Sequence, residues 1–548
     1  MATQFIFNNQ KIKLPGAYST IVSGEKNPPL ALDYGKVLVI DTGTLGATWG
    51  GGSGIDGANA KGQDAIYSFD NVEDYRSFLK GGMFWKMADA LFRPDPQANA
   101  TGASQVLHVK AATTVASTMT FTATGGGSAG GSFVVKPKDE GIIGNGILTS
   151  THLDKGYAYT IESGVVDTAK WIFKVWVGQW KGDHSDGIAI DEVAKASTTP
   201  LLVAQSPEFN NIQNLIDWAN TDTNFAKVLV KGTCAVTGTG VVTSADITGL
   251  TGYQVSVGGT ETYSTANLTK ALTALAEESF SFIITDKYGM TNYDAAENGL
   301  VVAHIGSEAK FKHFLTVGGG EDESEFSVAD GSLAMGVYFN SSYVRVVHGG
   351  LKEASKANGE GFRLWPSIYT VAKVVGREAG KAPQVPLTEK TLGIDGLKHN
   401  LSKKQKEQCL DNGVIAIYNK KSIGKFAVLQ GVNTLQDNRN LFTNSGKSFS
   451  TQFMRIIEQV NNELVINAEI DLLSNENGNN VFTISPAVLK VWTETYLQSR
   501  TVSELADNLL LSFKNVTVTK VQDAYQVNYG IVVNNEINKI FFTGFLFR

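Results

Sequence analysis

The chain has 548 residues, with 47 Lys+Arg against 53 Asp+Glu, and its net charge of −6 excludes a globally basic binder of nucleic acid or anionic membrane. At 42% hydrophobic and 18% charged it can bury real cores, and its length suggests about three or four domains. Only two cysteines, Cys234 and Cys409, lie far apart in it, which excludes a disulfide framework and a cysteine-rich metal site.

Further limits come from hydropathy. No apolar run approaches the roughly 18 residues of a spanning helix. The N-terminus lacks the basic-then-apolar order of a signal peptide. The expectation is a soluble protein with reduced thiols, made and folded in a cytoplasm.

In chain order, Phe5-Ile6-Phe7 leads through Asn8-Asn9-Gln10 and Lys11-Ile12-Lys13-Leu14 to Pro15-Gly16. Residues 1–16 read as an extended arm. Fourteen extended residues span roughly 45 Å, enough to reach a neighbouring molecule. Residues 17–104 hold a buried-strand candidate, Lys36-Val37-Leu38-Val39-Ile40-Asp41, then a glycine-rich stretch over 43–57. A helical pattern follows over 72–91, with Tyr75, Phe78 and Leu79 on one side and Gly81-Gly82 interrupting it. Residues 105–200 turn to strand text, including Val106-Leu107-His108-Val109 and the aromatic Trp171-Ile172-Phe173-Lys174-Val175-Trp176-Val177.

Residues 201–350 read as alternating strand and helix, which favours an α/β layer. Pro207 is expected to open a helix carrying Ile212, Leu215, Ile216 and Trp218, and Leu268, Leu272 and Leu275 share a second helical face. In 351–533 the punctuation is clearest. Ser402 is expected to cap a helix with Gln405 as capping-box partner and Gly413 as its stop. Ser450 opens a long helix with Phe453, Ile456, Ile457, Val460 and Leu464 at helical spacing. Ser485-Pro486 starts another, with Leu489, Trp492 and Tyr496 on one face. Strands follow, with Tyr525, Val527, Tyr529, Ile531 and Val533 in strict alternation.

Residues 534–548 are too apolar for a free tail: Ile537, Ile540, Phe541, Phe542, Phe545, Leu546 and Phe547 fall where most chains fray into polar residues. Both ends need a surface, either this chain's own core or a neighbouring copy. The residues marked as an inter-subunit interface are Phe5, Ile6, Phe7, Ile12 and Leu14 at one end and those seven at the other.

Chemistry-bearing motifs are scarce. Gly446-Lys447-Ser448 lacks the upstream glycine of a phosphate loop, which would stand where Leu441 is. Asp183-His184-Ser185-Asp186 groups ligand types in one turn with no partner cluster, and His304 and His313 do not share a helical face. Glu321-Asp322-Glu323-Ser324-Glu325 reads as a solvated acidic loop or, more sharply, a partner contact. No catalytic, cofactor-binding or metal residue is expected.

The order of several short motifs resembles the contractile tail sheath proteins of bacteriophages and related contractile injection systems. They are Leu14-Pro15-Gly16-Ala17-Tyr18, the turn Gly141-Ile142-Ile143-Gly144-Asn145-Gly146, and Trp365-Pro366-Ser367 before a small-residue helix over 371–380. Pro386-Leu387-Thr388, Asn412-Gly413-Val414 and Gln430-Gly431-Val432-Asn433-Thr434-Leu435 complete the order. The resemblance implies a multidomain α+β or α/β fold. Its sheath-like core would be built from both chain ends plus the C-terminal third, with β-rich outer domains inserted; 105–181 and 231–265 match the family little.

The family also implies a structural role without catalysis or cofactor. The subunit would form a helical homo-oligomer around a tail tube protein, with baseplate and tail terminator proteins as partners and neither nucleic acid nor inserted membrane among them. Assembly would take place in the host bacterial cytoplasm, and the virion tail would be its place. In this family the terminal arms add strands to neighbouring subunits. The alternatives are a self-contained carbohydrate-binding or hydrolytic protein, and another tail component of the tube or baseplate.

Overall fold

A computed structural model describes, with short omissions inside them, residues 5–12, 34–41, 66–177, 190–191, 201–288, 299–305, 313–354, 362–436, 448–473, 484–501 and 509–533. Its centre is one mixed sheet. Its strands are β1 (Lys36–Asp41), β2 (Tyr67–Phe69), β3 (Gln105–Lys110), β4 (Phe282–Tyr288), β5 (Phe314–Gly318), β6 (Val344–His348), β7 (Thr391–Leu392), β8 (Val414–Lys420) and β9 (Lys425–Val428). They run in the order β7-β9-β8-β6-β5-β4-β1-β3-β2, parallel from β8 across to β3 and antiparallel at both edges.

Parallel strands covered on both faces need apolar residues at consecutive positions, and these have them. Val37, Val39, Phe282, Ile284 and Ile415 face one helical layer. Leu38, Ile40, Ile283, Val346 and Val414 face the other. Along the chain, α1 (Val72–Leu79) and α2 (Gly82–Phe92) follow β2, and α3 (Ile212–Thr221) lies in an insertion. Next, α4 (Thr265–Ala274) precedes β4 and α5 (Ser332–Phe339) joins β5 to β6. Then α6 (Ser367–Ala379) follows β6, α7 (Lys403–Asp411) precedes β8, and α8 (Thr451–Ala468) and α9 (Pro486–Gln498) follow β9. Helices α1, α2, α6 and α8 cover the first face, and α4, α5 and α7 the second.

Every residue of α6 is buried. At Gly376 a methyl group would lie 2.5 Å from the carbonyl oxygens of both Ala90 and Leu91, so α6 meets the α2 backbone there and only glycine fits.

The insertion leaves the sheet after β3 through strand Ala112–Val115 and returns through Thr260–Tyr263, which pairs with it antiparallel. Beyond this neck lies a separate core of Phe121, Phe133, Tyr159, Phe173, Leu215, Trp218 and Phe225. Two strands from beyond 200 join that unit: Leu201–Gln205 pairs with Trp171–Val177, and Leu229–Val236 with Gly131–Pro137. The strand-helix alternation read over 201–350 does not say which sheet a strand joins. Helix α3 also begins later than Pro207 suggested. Phe209 is held in a bridge to Trp171, and Asn211 caps the helix by accepting from the Asn214 amide at 2.9 Å. A second tie reaches back to the main body, where Ile190–Asp191 pairs with Phe362–Trp365.

The helix punctuation is as the sequence indicates. Helix α1 ends at Leu79 and α2 begins at Gly82, so the helical pattern is broken where the glycine pair stands in the sequence. Ser402 Oγ accepts the Gln405 amide at 3.3 Å, the Gln405 side chain accepts the Ser402 amide at 2.9 Å, and Gly413 ends the helix at φ 69°. We expect Ser402→Ala to cost about 1 kcal/mol, read as a lower urea midpoint, as for other lost helix caps; an unchanged midpoint would show the cap carries no stability. Ser485 caps α9 through the Val488 amide, whereas Ser450 stands at the N-cap of α8 without a side-chain cap bond.

Candidate subunit interface

The C-terminal third is organised by α8. It is buried nearly all round, so its polar side chains must find partners inside the protein. Gln452 donates to the Gln384 carbonyl at 2.6 Å, and Arg455 to the Lys381 carbonyl at 2.8 Å. Glu463 accepts from the Tyr496 hydroxyl and from Arg500 Nε, each at 2.8 Å. Burial pushes the Glu463 carboxyl above its usual range, and Arg500 leads the groups that pull it back. Asn461 accepts from the Tyr529 hydroxyl. One helix thereby pins α6, α9 and the last hairpin to the sheet.

That hairpin pairs β10 (Ser512–Val521) with β11 (Ala524–Val532), and the two form a sheet of their own among the described residues. Val516, Ile531 and Val533 anchor one face in the main core beside Tyr496 and Leu497, with Phe513 and Tyr529 packed against them. Asn515, at φ 60°, forms a bulge in β10. A two-stranded ribbon is marginal in water, and its outer edges present backbone donors and acceptors ready for another strand. Apolar side chains are exposed close by in sequence: Leu511 at 47% and Val532 at 38%, and on α9 Val488 at 51% and Val491 at 61%. Leu489 and Tyr496 of α9 are core, and Trp492 is part-buried and donates to Asp471.

Of the marked interface residues, Phe5–Phe7 and Gln10–Ile12 form two short strands paired antiparallel, Phe5 opposite Ile12. Leu14 and all of 534–548, from Ile537 to Phe547, lie outside the described residues. The Asp183–Asp186 group, His304, Gly446 and Lys447 also lie outside them. His313 is fully buried. Cys409 is buried, with its thiol pushed up to about 12 by desolvation, and Cys234 lies in the strand Leu229–Val236. The acidic run is a structured turn: Glu321 pairs with Lys398, and Asp322 accepts from the Ser324 amide and hydroxyl. Among the described residues no cluster of His, Cys, Asp and Glu is placed to hold a metal, and no helix is long and apolar enough to cross a membrane.

Two buried groupings escaped the sequence reading. Glu378 on α6 receives Arg345 of β6 and lies 3.6 Å from Arg455 of α8. The two guanidinium groups lie 4.9 and 5.3 Å from the Phe282 ring centre, and Arg345 also donates to Thr316 at 2.6 Å. The second grouping joins His348 to His399. In the sequence these residues are isolated and far apart, so nothing local marks them.

No family model matches the chain. A tail sheath protein of Bacillus phage SP01 is 24% identical to it over 483 residues, covering 79% of this chain and 80% of that protein. The chain is similar to a phage tail sheath protein over most of both lengths. The sheath tail protein of Desulfitobacterium hafniense shares the fold at 14% identity, with a TM-score of 0.51 over 95% of this chain and 100% of that one. The sheath tail protein of Listeria innocua superposes less well, at a TM-score of 0.44 and 15% identity over 92% of this chain and 96% of that one.

Several motifs behind the tail sheath resemblance have structural work. Asn145 of the glycine-rich turn exchanges hydrogen bonds with Gly259, at 2.7 and 2.8 Å, tying that turn to the returning segment of the insertion. Trp365 is fully buried at the head of α6. Asn433 holds the Ser448 carbonyl at 2.6 Å and thereby sets the approach to α8.

Proposed function

We propose that this chain is the structural subunit of a contractile tail sheath. It polymerises helically around an inner tail tube, is held by baseplate and terminator proteins, and shortens to drive the tube through a host envelope. The observation that carries this reading is its likeness to the phage SP01 tail sheath protein across four-fifths of both chains.

The physics of the C-terminal third fits such a lattice. Among the described residues the hairpin of β10 and β11 has unfilled edges, and in the sequence an apolar segment follows Val533. A strand added to such an edge gains backbone partners it would otherwise lack. In this reading Ile537, Ile540, Phe541, Phe542, Phe545, Leu546 and Phe547 enter a neighbour's hairpin sheet. Phe5, Ile6, Phe7, Ile12 and Leu14 of the other arm dock on another neighbour. A contact of this kind does not close on itself, so it builds a filament. Arms donated in this way keep subunits joined while their bodies rotate. No residue is assigned a catalytic role, and no cofactor is required.

Electron microscopy of the purified full-length protein at assembly concentration tests this. The expected result is long hollow tubes with a helical lattice, alone or on added tail tubes. Rings or discs would point to a tube or baseplate component, and single particles even with tail tubes present would defeat the sheath reading.

A further inference from the structure

At the end of β6, beside the acidic turn, four side chains form a hydrogen-bonded row, of which Ser332, His348 and His399 are buried and Gln405 is half-buried. Gln405 Nε2 lies 3.3 Å from His399 Nε2, His399 Nδ1 lies 2.9 Å from His348 Nε2, and His348 Nδ1 lies 2.7 Å from Ser332 Oγ. Phe326 packs edge-on against both rings.

The proton positions follow from one end of the row. The Ser402 amide can only donate, so the Gln405 atom facing it at 2.9 Å is the oxygen. The Gln405 nitrogen must then face His399 and donate to Nε2, which needs a lone pair there. His399 therefore carries its proton on Nδ1 and donates to His348 Nε2. By the same step His348 carries its proton on Nδ1 and donates to Ser332 Oγ. That hydroxyl also accepts the Gly320 amide at 2.6 Å and turns its own proton toward the Glu325 carbonyl at 3.5 Å. Every hydrogen bond in the row points the same way, from the cap of α7 to the first turn of α5.

We infer that His399 is an acid sensor wired to the α7 capping box. Neutral, it accepts the Gln405 amide and the box is complete. Protonated on Nε2, it sets a donor against a donor. The half-buried Gln405 amide relieves this by turning its oxygen to His399, which sets its nitrogen against the Ser402 amide, or by swinging into solvent, and either breaks the reciprocal half of the box.

The surroundings favour His399 over His348 as the first group to take a proton. Burial lowers both pKa values, that of His348 to about 3 with His399 adding to the effect. Glu323 and Asp322 of the acidic turn pull His399 back up, whereas His348 has Asp322 as its one such partner. Glu321 is engaged by Lys398 and the Glu325 carboxylate by the Glu321 amide; α5 contributes Ser332 and α7 contributes Gln405, both uncharged. Because folding depresses the histidine pKa, the closed state is fully favoured above the ordinary histidine value of about 6.5 and loses ground as pH falls below it.

Hydrogen exchange of the full chain, read by mass spectrometry over the peptide holding 402–410 and normalised to intrinsic rates, tests the wiring. Between about pH 7.5 and about pH 5, protection of the first turn of α7 should fall about tenfold, the equivalent of one lost cap. The Ser485 cap of α9, which has no histidine partner among the described residues, should not respond. In Gln405→Glu the carboxylate can accept from the Ser402 amide and from a protonated His399 together, so the pH response should vanish while the helix remains capped. A flat profile in the parent protein, or an undiminished fall in Gln405→Glu, would overturn the inference.

Discussion

Removing residues 534–548 should leave soluble, folded subunits that no longer polymerise. The truncation keeps Val533, the last residue anchored in the described core, and removes a segment carrying seven large apolar side chains. If five of them are buried in a neighbour, the gross gain is roughly 7–15 kcal/mol at about 1.5–3 kcal/mol each. Association entropy and the ordering of the arm offset much of that, so a single arm binds modestly. Repetition along a lattice multiplies the effect, and its loss is therefore all-or-none. Sedimentation and electron microscopy read the result, with unchanged thermal unfolding of the truncated subunit as the check on folding. Tubes of normal length from this truncation would sink the donated-strand proposal.

Glu378→Gln should destabilise the central sheet by about 3–5 kcal/mol, the range for breaking a buried ion pair from one side. The substitution is nearly isosteric, so the loss is electrostatic. Arg345 is fully buried, Arg455 is nearly so, and both would keep their charge beside Phe282 with no carboxylate between them. Urea unfolding gives the measurement, since urea does not screen charge as guanidinium chloride does. The exposed pair Lys403–Glu407 supplies the control, and Glu407→Gln should leave the transition where it is. Replacing Arg345, Glu378 and Arg455 together by apolar residues of similar volume should recover most of the loss. A Glu378→Gln midpoint matching the control would mean the two arginines are satisfied by Thr316, the Lys381 carbonyl and the aromatic rings alone.

What could be read from the sequence is local. The Ser402–Gln405 box, the Ser485-Pro486 start and the Gly81-Gly82 break each rest on residues within one helical turn, so their physics is complete in a short window. β1 announced itself because a strand covered on both faces cannot alternate. The order of the sheet was hidden, because β4 pairs with β1 across an intervening insertion and parallel pairing leaves no local mark. The sheets that Leu201–Gln205 and Leu229–Val236 join were hidden for the same reason. Arg345 and Glu378, 33 residues apart, are ordinary charges in the sequence and become partners only when β6 and α6 pack. The arms were legible in part: composition says both ends need cover, and says nothing of whose surface provides it.

The paired neck at Ala112–Val115 and Thr260–Tyr263 has company in the short strand Ile190–Asp191, which pairs with the strand Phe362–Trp365. An appendage fastened at one point swivels on its mount. Fastened at two, it is geared to it, and any turn of the central sheet is carried outward to the insertion's rim.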